Sequence, residues 1–286
     1  MNVGFVGTGN MGRPMAENVW KAGHRLTVFD ARPEATKPLE DQGATRAPDL
    51  VALAREVRVT LLSLPNETVV EAVVAGTGGL LTGARRGDVI FDLSTVSPES
   101  TRRLGARAAE RGVTLIDAPV SGSVSGARAG TLAVMIGASA EAIRPYEAIF
   151  RAIGSSVFPL GELGRGNTLK LLNNYVALSN QAVLCEAMAL ADRLGVSRQM
   201  VGDVLAKSSG ASFILERKLG AIAKRNYDAG FFVDLALKDL TLALALAADA
   251  GAGATVGREA RRLYEAASKA GFGKLDSSGL LRLLEP

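Results

Sequence analysis

A chain of 286 residues is long for a single hydrophobic core and suits two domains. Its 48% hydrophobic and 22% charged content is that of an ordinary globular enzyme. The 33 Lys+Arg against 29 Asp+Glu leave only +4, and few aromatics accompany them. With no basic block, this argues against nucleic acid as a partner and fits mild attraction for small acids.

The first strand, Asn2-Val3-Gly4-Phe5-Val6, leads directly into Gly7-Thr8-Gly9-Asn10-Met11-Gly12. Strand, G-x-G-x-x-G, helix is the dinucleotide-binding order. Gly7 permits the tight turn, Gly9 lets backbone amides approach a pyrophosphate, and Gly12 lets helix and strand pack closely. The helix predicted over Met11–Lys21 aims its positive end at the phosphates. Arg25–Phe29 is a second strand and ends in Asp30, the acid a ribose 2′-hydroxyl requires. The lone histidine, His24, begins that strand and so falls at the opposite edge, as a surface turn residue.

A helix is predicted over Pro33–Gln42, and strands at Val57–Leu64, Val89–Asp92, Val113–Asp117, Thr131–Ile136 and Ser156–Phe158. Ser97 caps a helix that opens on Pro98 and runs to Arg111. This alternation specifies an α/β, Rossmann-type doubly wound parallel sheet over residues 1–162. The glycine-dense stretch Gly161–Gly166 ends it. Residues 163–286 form an all-helical domain, joined through a long apolar helix over Asn167–Leu194. Further helices follow at Arg198–Lys207, Phe213–Lys224, Val233–Ala250 and Arg258–Ala270. A helix apolar on most faces wants covering on most faces, which points to a homodimer or homotetramer.

The single Cys185 excludes an internal disulfide, fits a reducing compartment, and lies in an apolar run as a buried thiol. One Cys with one His leaves no zinc site of N and S ligands, and no metal is expected. The N-terminus carries no cleavable leader, and Leu240–Ala248 is too short to span a bilayer. The expectation is a soluble cytoplasmic protein that does not enter membranes.

Ligands of a doubly wound sheet bind beyond the carboxyl ends of its strands. Those ends are Gly7–Gly12, Asp30, Ser63-Leu64-Pro65, Ser94-Thr95 and Ala118 to Ser123, expected on one edge. Ser121-Gly122-Ser123 offers hydroxyls and consecutive amides to a carboxylate, and equally resembles any serine-rich turn. No histidine base is available. Nor is there a Tyr-x-x-x-Lys pair, since Phe150, Ser179, Phe231 and Ser268 follow the four tyrosines at that spacing. The remaining candidate proton donor is a lysine. Lys170 and Asn174 share one helix face just past the glycines. That pattern fits either a tunable acid/base facing an interdomain cleft or a surface lysine over the hinge. Lys238, beside Asp239, is by itself a charged pair on an amphipathic helix.

These pieces together resemble the β-hydroxyacid dehydrogenase family, which includes 3-hydroxyisobutyrate dehydrogenase and tartronate semialdehyde reductase. The resemblance runs nearly end to end. It is carried by Phe5–Asn18, with Thr8 where Leu is usual. It continues through Asp117–Gly122 with Gly126-Ala127 and Gly130–Leu132, where Ser123 replaces a frequent glycine. Gly164-x-Gly166-x-x-x-Lys170-x-x-Asn173-Asn174 and Phe231 to Leu240 complete it. The resemblance implies an enzyme that passes a hydride between NAD and a small 3-hydroxy acid or its semialdehyde. It makes Lys170 the general acid/base, with Asn174 holding the substrate or that lysine. Ser121, Gly122 and Ser123 would bind the substrate carboxylate, and Phe231 and Asp239 would close the site. Gly7, Thr8, Gly9, Asn10, Met11, Gly12 and Asp30 would hold the dinucleotide, Leu64 and Pro65 would pack along it, and Thr95 and Lys238 would lie at the nicotinamide end. NADP-preferring members resemble one another in carrying Asn-Arg-Thr after the second strand. Here Asp30-Ala31-Arg32 sets a carboxylate where a 2′-phosphate would go, which favours NAD over NADP although Arg32 partly offsets it. The rivals are an NADP(H)-dependent semialdehyde, glyoxylate or imine reductase, and a non-catalytic binding module on the same fold.

Overall fold

The computed structural model describes residues 1–228 and 230–285. Short runs of Val, Ile, Leu and Phe form six parallel strands: β1 (Asn2–Val6), β2 (Arg25–Phe29), β3 (Thr45–Arg46), β4 (Val59–Leu62), β5 (Val89–Asp92) and β6 (Thr114–Asp117). Their order is β3-β2-β1-β4-β5-β6, the doubly wound arrangement expected. Register aligns Phe29, Val6, Leu62, Asp92 and Asp117 in one row at the carboxyl ends. The residues that follow these five therefore share one edge of the sheet.

The strands are apolar on both faces because both are covered. Val3, Phe5, Val28, Leu61 and Phe91 join Met15 and Val19 of α1 (Gly12–Lys21) on one side. There Phe91 meets Phe150 edge-to-face, with ring centroids 4.9 Å apart. Val6, Leu62, Ile90 and Leu115 pack with Leu53, Val74 and Leu104 on the other. Those three come from α2 (Leu50–Glu56), α3 (Glu67–Ala75) and α4 (Pro98–Glu110). Each such side chain stabilises the fold by about 1.5–3 kcal/mol relative to exposure.

Three sequence expectations change. The helix anticipated over 33–42 is a 3-10 turn at Pro33–Ala35 and a single helical turn at Lys37–Glu40. Pro38 has no N–H to continue the ladder from Glu34. The strands anticipated at 131–136 and 156–158 stand outside the large sheet. They are β8 (Ala133–Ile136) and β9 (Ser156–Pro159), which join β7 (Val120–Ser121) in a second sheet of order β7-β8-β9. β7 runs antiparallel to β8, and β8 parallel to β9. Ser121 therefore ends a short strand, and Ser123 opens the helix α5 (Ser123–Ala129), so the serines form a strand-to-helix corner. α6 (Glu147–Ile153) carries Phe150 and closes the first half.

The chain divides into compact units at Met1–Lys170 and Leu171–Pro286, and one long helix, α7 (Arg165–Arg193), contains the division. Along α7 one face is buried at Asn167, Lys170, Leu171, Asn174, Leu178 and Gln181. The other exposes Leu169, Leu172, Val176, Val183, Leu190 and Leu194. The second unit adds α8 (Arg198–Leu205), α9 (Phe213–Ala223), α10 (Val233–Asp249) and α11 (Thr255–Ala267). Its core gathers Leu178, Cys185 and Met188 of α7 with Leu215, Ile222, Leu240 and Tyr264. Arg198, buried, is satisfied by Asp192, Glu285, the Tyr227 hydroxyl and the Ile222 carbonyl. Removing one partner from such a network leaves a buried charge uncompensated. Among the described residues, no helix is long and apolar enough to cross a membrane.

Cys185 is fully buried, 3.9 Å from the Ser278 carbonyl oxygen, and burial pushes its thiol up to about 12. The native chain should resist a thiol reagent at about pH 8 and react once unfolded, followed by absorbance of the released chromophore. Above the ordinary thiol pKa the unfolded chain loses this proton while the native chain keeps it. Stability contributed here should therefore fall as pH rises from about 9 towards about 12, as urea midpoints across that window would record.

Candidate active site

The loop after β1 is fixed from three sides. Gly7 adopts φ +88°, and a Cβ there would stand 2.3 Å from the Ser63 carbonyl oxygen. A Cβ on Gly12 would stand 1.8 Å from the Gly7 carbonyl oxygen, so helix and turn touch through bare backbone. Gly9 differs. Its missing Cβ would meet only the Arg32 guanidinium, 3.9 Å away, so internal packing does not demand a glycine. An open approach to backbone amides before the first turn of α1 is what a pyrophosphate fits. Met11 occupies the N-cap of that helix without a capping side chain.

Asp30 lies one residue beyond β2. Its Oδ2 accepts from the Thr8 amide at 2.8 Å and the Thr8 hydroxyl at 3.4 Å, and its Oδ1 accepts from the Arg32 amide at 2.9 Å. The carboxylate is thereby locked beside the glycine loop, with the Arg32 Nε 3.7 Å from Oδ1. Next along the edge, the Leu64 amide donates to the Ser94 hydroxyl at 2.9 Å, tying the Leu64-Pro65 turn to the Ser94-Thr95 loop. Asn10, Leu64 and Thr95 are at least partly open to solvent, and Pro65 is exposed.

At the corner after β7, Gly122 takes φ +140° and Ser123 φ +65°. The second is a left-handed conformation natural to glycine, and a serine there costs roughly 1–2 kcal/mol. The Ser123 and Ser125 hydroxyls lie 2.9 Å apart, and Ser121 and Gly122 are half-buried.

Lys170 is buried, with 8% of its surface exposed, one helical turn into α7. Two residues that sequence reasoning did not single out surround that turn. Asp117, fully buried at the end of β6, accepts from the Gly164 amide through Oδ1 and from the Asn167 amide through Oδ2, each at 2.7 Å. Burial pushes its carboxyl up, and the Gly164 and Asn167 amides oppose that shift. Asn167 in turn accepts from the Val96 amide and donates to the Thr101 hydroxyl, both at 3.1 Å. The available signal was an acid ending an apolar strand, a position that burial makes costly unless donors meet it.

In the second unit, Asn174 donates to Asp239 Oδ2 at 2.6 Å, and the Lys238 ammonium stands 3.0 Å from Asp239 Oδ1. The Asn173 side-chain amide donates to Asn174 Oδ1 at 3.0 Å. Asn174, Lys238 and Asp239, separate in sequence, thus form one polar cluster. The Phe231 backbone is held by the C-terminal segment: its amide donates to Asp276 Oδ2 at 3.1 Å, and its carbonyl accepts from the Ser277 amide. His24, expected at the surface, is half-buried with its Nδ1 3.2 Å from the terminal amine. Burial and that cation push its pKa down, and it stays at the amino-terminal edge of β2. Among the described residues, no group of three or more His, Cys, Asp or Glu is placed to hold a metal ion.

The family model for the NAD binding domain of 6-phosphogluconate dehydrogenase matches residues 2–161. That for the NAD-binding of NADP-dependent 3-hydroxyisobutyrate dehydrogenase matches residues 164–284. A 3-hydroxyisobutyrate dehydrogenase of Pseudomonas aeruginosa is 37% identical over 291 residues, covering 99% of this chain and 98% of that protein. An NAD-dependent L-serine dehydrogenase of the same organism is 35% identical, again covering 99% and 98%. The solved 3-hydroxyisobutyrate dehydrogenase of Mycobacterium tuberculosis, determined with L-serine, superposes at a TM-score of 0.89. It is 31% identical and covers 100% of this chain and 99% of that one. The chain belongs to the β-hydroxyacid dehydrogenase family, the NAD(P)-dependent oxidoreductases of 3-hydroxy acids.

Proposed function

We propose that this chain interconverts a short 3-hydroxy acid and its semialdehyde, with NAD preferred over NADP and Lys170 as the general acid/base. The observation that carries this reading is the burial of Lys170 on the same face of α7 as Asn167 and Asn174. Such burial is unlike a solvated surface lysine. Lysine is the cation whose pKa burial and neighbours tune readily, which suits an acid/base.

The bound dinucleotide supplies or takes up the hydride. The rest falls to side chains of this chain. Ser121, Gly122 and Ser123 hold the carboxylate, which sets the reacting carbon two bonds beyond the carboxyl. Lys170 gives its proton to the aldehyde oxygen in reduction and takes the hydroxyl proton in oxidation. Asn174, aimed by its bond to Asp239, holds the same oxygen or the lysine, with Phe231 and Asp239 closing the site. Gly7 to Gly12 receive the pyrophosphate, Leu64 and Pro65 line the cofactor, and Thr95 and Lys238 stand at its nicotinamide end. L-serine is itself a short 3-hydroxy acid, so the names of the serine and hydroxyisobutyrate relatives support this substrate class.

One feature supports NAD. Asp30 is fixed by backbone amides of Thr8 and Arg32, so it cannot swing away from an incoming 2′-phosphate. Like charges at that distance repel. The exposed apolar stripe of α7, with Leu169, Val176, Val183 and Leu190 seven residues apart, supports a second copy of the chain as its cover. A reduced, buried Cys185 is consistent with work in the cytoplasm.

Lys170→Ala should lower kcat about 10²-fold or more with NAD binding intact, the loss expected when general acid–base help is removed. Wild-type turnover in that variant, measured by NADH absorbance, would sink the reading. Asp30→Asn combined with Ala31→Arg should move the NAD/NADP ratio of kcat/KM toward NADP by about tenfold or more, equivalent to about 1.4 kcal/mol. An unchanged ratio would remove Asp30 from cofactor choice.

A further inference from the structure

We infer that Asp117 and Asn167 are positioning residues: together they fix the first turn of α7, and with it Lys170, against the carboxyl ends of β5 and β6. The inference rests on the reading of Lys170 as the acid/base.

A helix begins with four amides that lack intrahelical partners, and a residue at the start of the helix usually caps them. At α7 the residue before the helix is Gly164, with φ +90° and no side chain to cap. The acceptor comes instead from Asp117, 47 residues earlier, through one oxygen to Gly164 and the other to Asn167. A serine or aspartate at 164 would have satisfied the helix locally without burying a carboxylate. A remote cap does what a local one cannot, since it sets where the helix starts relative to the sheet.

Asn167 adds a second constraint. Its amide is held by Asp117, and its side chain spans from the Val96 amide after β5 to the Thr101 hydroxyl on α4. The packing leaves no slack around this junction. A Cβ on Gly137 would lie 2.0 Å from Asp117 Oδ1, and one on Gly166 would lie 2.4 Å from the Met135 carbonyl oxygen. Gly166 of the Lys170 segment and Gly137 after β8 thus serve the fit of the helix end to the strands.

Lys170 follows Asn167 by three residues, about 4.5 Å along the axis and on the same helical face. A shift or tilt of the first turn therefore reaches its ammonium directly. The loop held by Asn167 carries Thr95, and the strand ended by Asp117 leads within four residues to Ser121. The two side chains index the proton donor against the two loops assigned to cofactor and substrate.

The test compares kcat, KM and NAD affinity in Asn167→Ala, Asp117→Asn, Thr101→Val and Thr101→Ser, with Lys170→Ala as reference. Asp117→Asn keeps the size but turns a donor toward one of the two helix amides. Asn167→Ala and Asp117→Asn should each lose about 10- to 100-fold in kcat, the scale of an ångström-sized misplacement, with NAD affinity within about twofold of wild type by calorimetry. Thr101→Val should fall in the same direction, and Thr101→Ser should restore turnover. In the Lys170→Ala background there is no amine to place, so Asn167→Ala should add less than about twofold. A lower melting temperature with kcat per folded enzyme unchanged would overturn the inference, as would a full, independent loss in the Lys170→Ala background. Should Asn167→Ala and Asp117→Asn fail to fold, normal turnover in Thr101→Val overturns it. Full activity in Lys170→Ala would instead strike the acid/base reading itself.

Discussion

Two amides at the start of α7, those of Gly164 and Asn167, close on one buried carboxyl group, Asp117, and this ties the start of the helix to the end of β6. The helix dipole and the bare amides favour a negative charge there, while burial alone disfavours it. The two effects oppose each other at the same group, and the amide contacts that offset the burial also hold the start of the helix. Asp92, one strand away in register, shows the milder version, with Oδ1 accepting the Ser94 amide at 2.9 Å. The carboxyl edge of the sheet thus ends in acids whose oxygens organise the loops that follow.

Glycine has different duties on this edge, and the contacts separate them. Gly7 and Gly12 are required by the protein's own backbone, since any Cβ would strike a carbonyl oxygen. Gly137 and Gly166 make room for Asp117 and the Met135 carbonyl. Gly9 is under no such demand, since a Cβ there would meet only the Arg32 guanidinium, 3.9 Å away. Ser123 is the converse, a side chain retained at a left-handed backbone position, next to the hydroxyls assigned to substrate.

The second unit carries two polar systems of unlike character. Arg198 with Asp192, Glu285 and Tyr227 knots the end of α7 to the C-terminal segment, and its charges compensate one another. Asn174, Asp239 and Lys238 form a smaller cluster on α7 and α10. Buried polar groups of this kind specify one arrangement when all are met. The first ties two segments of the unit together, whereas the second joins one amide to one carboxylate.

By itself the sequence determined whatever depends on neighbours along the chain. The alternation of apolar strands with helices, the glycine turn into α1, Asp30 at the end of β2 and the i, i+4 pairing of Lys170 with Asn174 all follow from short-range geometry. Four motifs in order were enough to mark the family. Local pattern failed where a partner lay far away or a proline intervened. Pro38 divided an expected helix, and the strands at 133–136 and 156–159 looked like members of the large sheet because pairing partners leave no trace in a strand's own residues. Asp117 and Asn167 resemble any acid or amide in a list of residues. Only the tertiary structure decided their roles, because a hydrogen bond between positions 50 residues apart exists once the chain has brought a strand end to a helix start.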